Sequence, residues 1–325
     1  MIDFRYHLVS IVAIFLALAV GIVLGTTLLQ EPAIETVKRT NELMAKANDG
    51  LTADLDALRS KEGGNNEFVT ALTQKLVENE LNGERVLIVE APGSSTAYRE
   101  AQHQVLLQAG AAIAGRVTLA ESFLDPKSTG VIDGLATQLK PEGMAFAPTA
   151  TAYDRAGALL AATLMTTDAA QAGTANATTP GVLEGFEAGD LLSVEGEPGK
   201  RATLAVLFAP EKPFTGGNAD TQAEALVSLA AALDAQGKGT VVTGSAATAA
   251  AAGGLISAVR DDGDTAKRVS TVDTPDIPAG RVVTVYALRE QVSGRAGQYG
   301  IGPGVSAFTP APPTAATPTP SEAGS

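Results

Sequence analysis

The sequence predicts an α/β protein: an N-terminal transmembrane helix and coiled coil followed by a mostly parallel α/β sandwich domain. Three observations predict this. An uncharged apolar run extends from Leu8 to Leu29, an apolar repeat with a period of 3.5 residues follows Pro32, and short β-branched runs alternate with helical segments from Arg85 onward. The expected boundaries are 1–7 for a cytoplasmic N-terminus, 8–29 for the anchor, 33–82 for the coiled coil, 84–305 for the α/β domain and 309–325 for a disordered tail rich in Pro, Thr and Ala.

The anchor has 22 residues with no formal charge, and only Ser10, Thr26 and Thr27 are clearly polar. At about 1.5 Å per residue such a helix covers roughly 33 Å, the thickness of a hydrocarbon core. Ala17-Leu18-Ala19 also resembles a small-residue signal cleavage site, but cutting there would leave Val20 to Leu29 as an apolar new terminus. One uncleaved span is therefore expected, with Phe4 and Tyr6 at the interface. Arg5 and His7 flank one end, Lys38, Arg39 and Lys46 the other, so charge alone leaves the orientation open. Ala13, Ala17, Gly21 and Gly25 recur every four residues, a small-residue row that lets two membrane helices approach closely.

Taking Ile34 as position a, the a series reads Ile34, Asn41, Asn48, Leu55, Glu62, Val69, Leu76 and the d series Val37, Met44, Leu51, Leu58, Asn65, Leu72. That is a coiled-coil seam. Asparagine at a weakens a coiled coil but selects register and a two-stranded state, so Asn41 and Asn48 favour a parallel homodimer continuous with the membrane pair. Gly21, Gly25, Asn41, Met44, Asn48, Leu51, Leu55 and Leu58 are the residues expected to form the dimer seam. The other reading is a lone amphipathic helix packed on its own domain. Gly63-Gly64, with Glu62 and Asn65 on the seam, is expected to loosen or break the helix and open a groove for a partner coiled-coil segment.

In the domain, strands are expected at Arg85–Glu90, Gly115–Leu119, Thr203–Phe208, Thr240–Thr243 and Arg268–Val272. Helices are expected at Thr96–Ala109, Thr151–Met165, Asp220–Gln236, Gly254–Val259 and Arg281–Ser293. Gly189–Lys200 reads as a Gly- and Glu-rich connector. Strands separated by helices argue for a sheet covered on both faces.

Composition narrows the chemistry. The 325-residue chain has no Cys, two His (His7, His103), four Met and a net charge of −13. Thiolate catalysis, zinc ribbons and Fe–S clusters are excluded, and a nucleic-acid partner is not expected. No pair of His or Met is close in sequence, which argues against a soft-metal cage within one monomer; His103, Met144 and Met165 are the residues to test for one.

Local motifs add little. Pro92-Gly93-Ser94-Ser95 between a strand and a helix lacks the glycine and lysine pattern of a nucleotide loop and reads as an ordinary turn. Ser94 or Ser95 with His103 lacks the nucleophile-elbow pattern of a hydrolase. Asp261, Asp262 and Asp264 around Gly263 lack an EF-hand's closing Glu and read as a solvated turn, and Gly300-Ile301-Gly302-Pro303-Gly304 reads as an exit loop. No catalytic, cofactor-binding or metal residue is therefore predicted, and no enzymatic activity.

The run from Arg5-Tyr6-His7-Leu8 through Gly21-Ile22-Val23-Leu24-Gly25, the heptads behind it, and the closing Gly280-Arg281-Val282-Val283-Thr284-Val285 and Gly294-Arg295-Ala296-Gly297-Gln298-Tyr299-Gly300 resemble the actinobacterial copper transporter family typified by MctB. The likeness covers roughly residues 1 to 305. It implies an envelope protein of an actinobacterium facing outward from the inner membrane, with a role in copper efflux or homeostasis through an outer-membrane pore. A second branch, the SteB-like proteins, implies a homodimeric coiled-coil partner in septation that activates a peptidoglycan hydrolase. Copper enters by resemblance only, since no ligand set transfers to positions here. The alternating ten-residue strands of a membrane barrel are absent from the sequence, so a single-pass cell-membrane protein with its C-terminal bulk extracytoplasmic is the preferred reading. The residues favour an interaction scaffold; copper efflux as a pore-forming or accessory transporter is the alternative.

Overall fold

The computed structural model describes residues 4–175 and 179–312, except for the side chains of residues 27–34 and 36. Most of the expected 309–325 tail lies outside the described residues. The chain divides into two compact units, residues 1–65 and 66–325.

The first unit is helical throughout its described length and belongs to helix α1, Phe4–Val77, which runs on into the second unit. Its first part, Phe4–Thr26, is apolar and long enough to cross a bilayer, and no residue of it is buried in the protein, which separates it from the core helix of a soluble domain. Within it the Thr26 hydroxyl donates to the Ile22 carbonyl at 2.9 Å, so a polar side chain is satisfied by its own helix. The helix continues through Pro32 and through Gly63-Gly64. The expected break at the glycine pair is thus corrected. Each glycine costs only about 1 kcal/mol relative to alanine, neither takes a positive φ, and Lys61-Glu62 before the pair and Glu67 after Asn65-Asn66 are good helix formers. Val77, fully buried in the second unit, pins the far end. The helix stops at Val77, short of the expected 82, where Asn79 turns the chain at φ 65°.

The second unit is a seven-stranded sheet with helices on both faces. Its strands are β1 (Arg85–Glu90), β2 (Ala112–Leu119), β3 (Leu192–Gly196), β4 (Leu204–Phe208), β5 (Gly239–Thr243), β6 (Ser270–Val272) and β7 (Gln298–Tyr299). The order is β3-β2-β1-β4-β5-β6-β7, and every neighbouring pair is parallel except β2 with β3. The central strands read as continuous apolar runs because both faces are covered; every residue of β4 and β5 is buried.

Alternation along the strands divides two cores. Leu87, Val89, Ala205 and Leu207 face one layer, packed by α3 (Thr129–Gln138), α4 (Ala152–Leu164), α5 (Thr179–Ala188), α6 (Ala219–Gln236) and, past the five-residue α7 (Ala246–Ala250), α8 (Leu255–Asp261). Val86, Ile88, Leu204 and Val206 face the other, packed by α2 (Thr96–Gln108), α9 (Pro278–Val292) and Val77 at the end of α1. The connector expected at 189–200 holds the antiparallel edge strand β3. There Gly115, at φ 150°, is forced by packing: a Cβ on it would lie 2.7 Å from the Glu195 carbonyl and from Pro198. Helices α3 and α5 and strand β7 were not expected from the sequence.

The Gly-rich loop after β7 is clasped to the sheet. Fully buried Asp273, just past β6, pairs with Arg260 Nη1 at 2.9 Å and accepts from the Ile301 and Gly302 backbone N–H groups at 2.8 and 3.0 Å. Arg260 also donates to the carbonyls of Tyr299 and Pro303. A Cβ at Gly300 would overlap the Asp273 carboxylate, which accounts for that glycine. Burial pulls the Arg260 pKa down, and the Asp273 carboxylate only partly restores it.

Candidate interaction surface

On α1 the predicted seam is present as one stripe. Val37, Met44, Leu51, Leu55 and Leu58 are each between 51% and 67% exposed, and Asn41 and Asn48 are exposed beside them. A 3.5-residue repeat drifts by about 20° per heptad on a straight helix, so over three heptads the residues still share one face. Among the described residues, none covers it. Gly21 and Gly25 are likewise open, with no atom within 4 Å of where a Cβ would stand.

The same heptads end differently beyond residue 65. Val69 and Leu72 are half-buried, Thr73 and Val77 are buried, and the Tyr286 hydroxyl donates to the Leu76 carbonyl at 2.8 Å. Arg289 closes this junction, bonded to Glu80 at 2.6 Å with its guanidinium 4.8 Å from the Tyr286 ring centre. From Val69 on, most of the heptad positions therefore lie against the second unit, with Leu76 still exposed, whereas the residues expected to form the dimer seam end at Leu58.

The sheet order reverses between β1 and β4, and the crevice outside the carboxyl ends of such strands is where open α/β sheets hold ligands. A cleft of about 870 Å³ lies there, between the loops after β1, β2 and β4. Pro92, Pro126 and Pro210 line it, with Glu121, Asp125 and Glu211 facing the single cation Lys212. That balance repels phosphate. Ser95, the residue before α2, makes no side-chain cap hydrogen bond, and His103 lies eight residues along the helix, roughly 12 Å by helical rise, out of reach for proton transfer from either serine.

Beside the cleft, around a smaller depression that shares Pro92, Gly93 and Glu121 with it, is an ionic cluster that sequence reasoning missed. Buried Glu90, at the end of β1, accepts from Arg99 Nε at 2.8 Å and Thr118 Oγ1 at 3.0 Å and lies 3.4 Å from Arg116 Nε. Arg99 also bonds Glu100, and Arg116 bonds Glu195. The hydrogen bond and charge of Arg99 hold the Glu100 carboxyl below its ordinary range. No spacing in the sequence announces this cluster, because its members come from β1, α2, β2 and β3.

Among the described residues, no three of His, Asp and Glu converge as a metal site. Met165 is buried, Met144 is partly buried against the core, His103 is on α2, and His7 and Met44 lie far apart on α1, so the described soft donors do not converge. Asp262 accepts from Thr265 N at 2.7 Å and Asp264 pairs with Lys267, so the aspartate cluster spends itself on its own turn except for Asp261.

These features define a class: a chain with one bilayer-length apolar helix, a helical extension bearing an uncovered apolar stripe, and a doubly wound α/β domain. The chain belongs to the family described as copper transport outer membrane protein, MctB, which matches residues 1–310. It is similar to the copper transporter MctB of Mycobacterium tuberculosis (strain ATCC 25618 / H37Rv), at 27% identity over 317 residues that cover 95% of this chain and 99% of the relative. The copper transporter MctB of Mycobacterium leprae (strain TN) is 28% identical over 327 residues, with the same coverage of both chains.

Proposed function

We propose that this chain is a membrane-anchored coiled-coil envelope protein that pairs with a second copy through α1 and works as a non-catalytic interaction scaffold, its α/β domain outside the cytoplasm. The observation that carries this reading is the uncovered stripe Val37, Met44, Leu51, Leu55 and Leu58. Leaving five large apolar side chains in water on one helix face forfeits about 1.5 to 3 kcal/mol each relative to burial, and a matching stripe removes that loss. In a parallel pair Asp54 at position g meets Arg59 at position e of the partner helix, an attractive contact that supports this direction. The resemblance to SteB-like proteins supports septation and a peptidoglycan hydrolase as the process and partner.

A second reading follows from the relatives' name. Copper would be cargo, and the scattered His and Met side chains do not fit a copper cage within one chain. An accessory role beside a dedicated carrier is the form of this reading that the residues support.

The test is analytical ultracentrifugation of the full chain in nonionic detergent, alongside the Leu55→Asp variant. Wild type is expected to be dimeric at micromolar concentration, and the variant, which would bury a charge in the seam, monomeric with an unchanged domain melting temperature. A monomeric wild type, or a dimeric variant, overturns the reading. Copper accumulation and septation scored in one deletion strain then separate the two processes, and protease added to intact spheroplasts is expected to digest the α/β domain.

A further inference from the structure

A cleft of about 500 Å³ opens between α2 and strands β2 and β3, with Arg99, Glu100, His103, Arg116 and Glu195 among the residues on its walls. Its Arg99 and Arg116 guanidiniums are fixed from behind. The buried carboxylate of Glu90, itself bonded by Thr118, holds Arg99 through Nε at 2.8 Å and lies 3.4 Å from Nε of Arg116. One interior carboxylate against two guanidiniums leaves a positive charge over. That surplus is met from outside, by Glu100 on Arg99 and Glu195 on Arg116.

The inner and outer carboxylates differ in kind. The Glu90 side chain is 8% exposed, whereas those of Glu100 and Glu195 are 56% and 70% exposed. An ion pair with one partner largely in water contributes little, so another carboxylate can take its place at small cost. Each arginine also keeps one donor nitrogen without an acceptor. Among the described residues nothing is bonded to Arg99 Nη2 or to Arg116 Nη1, although the Arg99 side chain is only 9% exposed. A guanidinium presents paired N–H groups along one edge, and a carboxylate that spans both nitrogens uses a donor that the present pairs leave idle.

We propose that this cleft binds an acidic segment of a partner protein, two of whose Asp or Glu carboxylates displace Glu100 and Glu195 from the outward edges of Arg99 and Arg116. The chain's own glutamates mark the chemistry of the occupant, since each guanidinium already carries a carboxylate there. The two arginines stand on different elements, α2 and β2, and each is met by its own carboxylate. Two acids spaced along a peptide reproduce that pattern, as a single point anion does not. Glu90 stays in place and keeps both guanidiniums oriented, so the side chains that move are the two surface glutamates. Glu197, also on the wall, is paired with Lys200. The site lies within the second unit and does not depend on pairing through α1.

The experiment uses the full chain in nonionic detergent at low ionic strength, with a rhodamine-labelled peptide of alternating aspartate and alanine as probe. The Glu100→Gln, Glu195→Gln double variant removes the internal competitors and is expected to tighten binding at least fivefold. A control that removes as much charge elsewhere, Glu142→Gln, Glu184→Gln, is expected to change it less than twofold. Arg116→Lys keeps the charge beside Glu90 but not the paired donors, and is expected to weaken binding at least threefold while keeping the fold. Equal tightening by the two double variants would reduce the effect to net charge and overturn the proposal. So would an absence of binding to both the wild type and the Glu100→Gln, Glu195→Gln variant, an unchanged Arg116→Lys variant, or displacement of the peptide by inorganic phosphate at equal concentration.

Discussion

Two stretches of one helix carry the same repeat and meet opposite fates. Between Val37 and Leu58 the apolar positions of α1 stand in water, while from Val69 they become half-buried and Val77 joins the core against α9 and the sheet, Leu76 alone staying exposed. Heptad spacing states only that a face is apolar; it does not state what covers that face. Here the dividing factor is the polar grip at the junction, where Tyr286 and Arg289 hold Leu76 and Glu80. Mutations in the exposed stretch and in the docked stretch are therefore expected to act on domain stability very differently, although both lie on a single element.

The largest expected effect fixes the reference for the domain. Asp273→Asn leaves Arg260 buried without its carboxylate and is expected to cost about 3 to 5 kcal/mol in urea unfolding. Asn at this position cannot restore the charge, so loss of less than about 1 kcal/mol would show that the clasp is not a stability element. Next, Val77→Ala is expected to destabilise the domain by about 2 kcal/mol, whereas Leu55→Ala should leave its unfolding midpoint within about 0.5 kcal/mol. Equal effects would erase the contrast between the two stretches. Replacing both Gly63 and Gly64 by Ala, with open space at each Cβ, is expected to raise helix stability by roughly 1 kcal/mol per site, read as later melting of the far-ultraviolet signal. A loss of stability there would restore the glycine pair as a required bend.

The smallest effect depends on pH. Asp234, in the last turn of α6, has its carboxyl raised to about 6, chiefly by burial, with Arg268 and a Thr240 backbone hydrogen bond acting in the opposite direction. A carboxyl raised above its unfolded value binds its proton more tightly when folded. The folded state therefore loses stability as pH rises from about 4 to about 6, and the loss is complete above that. Asp234→Asn is expected to be neutral near pH 4 and stabilising by about 1 kcal/mol at pH 7.5, after allowance for partial solvation. A gain that is the same at both pH values would refute this linkage.

The parts of the fold that sequence reading located are those whose signal is local. Strands β1, β4 and β5 are unbroken buried runs, and α2, α4, α6 and α9 carry long apolar faces, so each appeared within a residue or a few of its place. Strand β3 did not. Leu192-Ser193-Val194-Glu195-Gly196 pairs along one edge only and exposes most of its side chains, leaving little apolar signal. Strand β7 is two residues long and exists because β6 and the Asp273 clasp hold it. For the candidate surface, the stripe from Val37 to Leu58 was legible because periodicity is what defines it. The point where α1 joins its domain was not, because the docking partners Tyr286 and Arg289 are more than two hundred residues away in sequence.

The two margins of the sheet bear on behaviour at high local density. A strand margin with free backbone groups is a template for another chain, and a protein confined to the plane of a membrane would meet its copies far more often than one diluted in bulk. At one margin β3 is five residues long, carries Glu195 and is followed by Pro198. At the other, β7 is two residues long and bridges to Ala307, which occupies part of its outer side. Neither margin offers a long, flat, uncharged row for strand addition. Crowding of such domains would therefore give strand addition between copies little to start from.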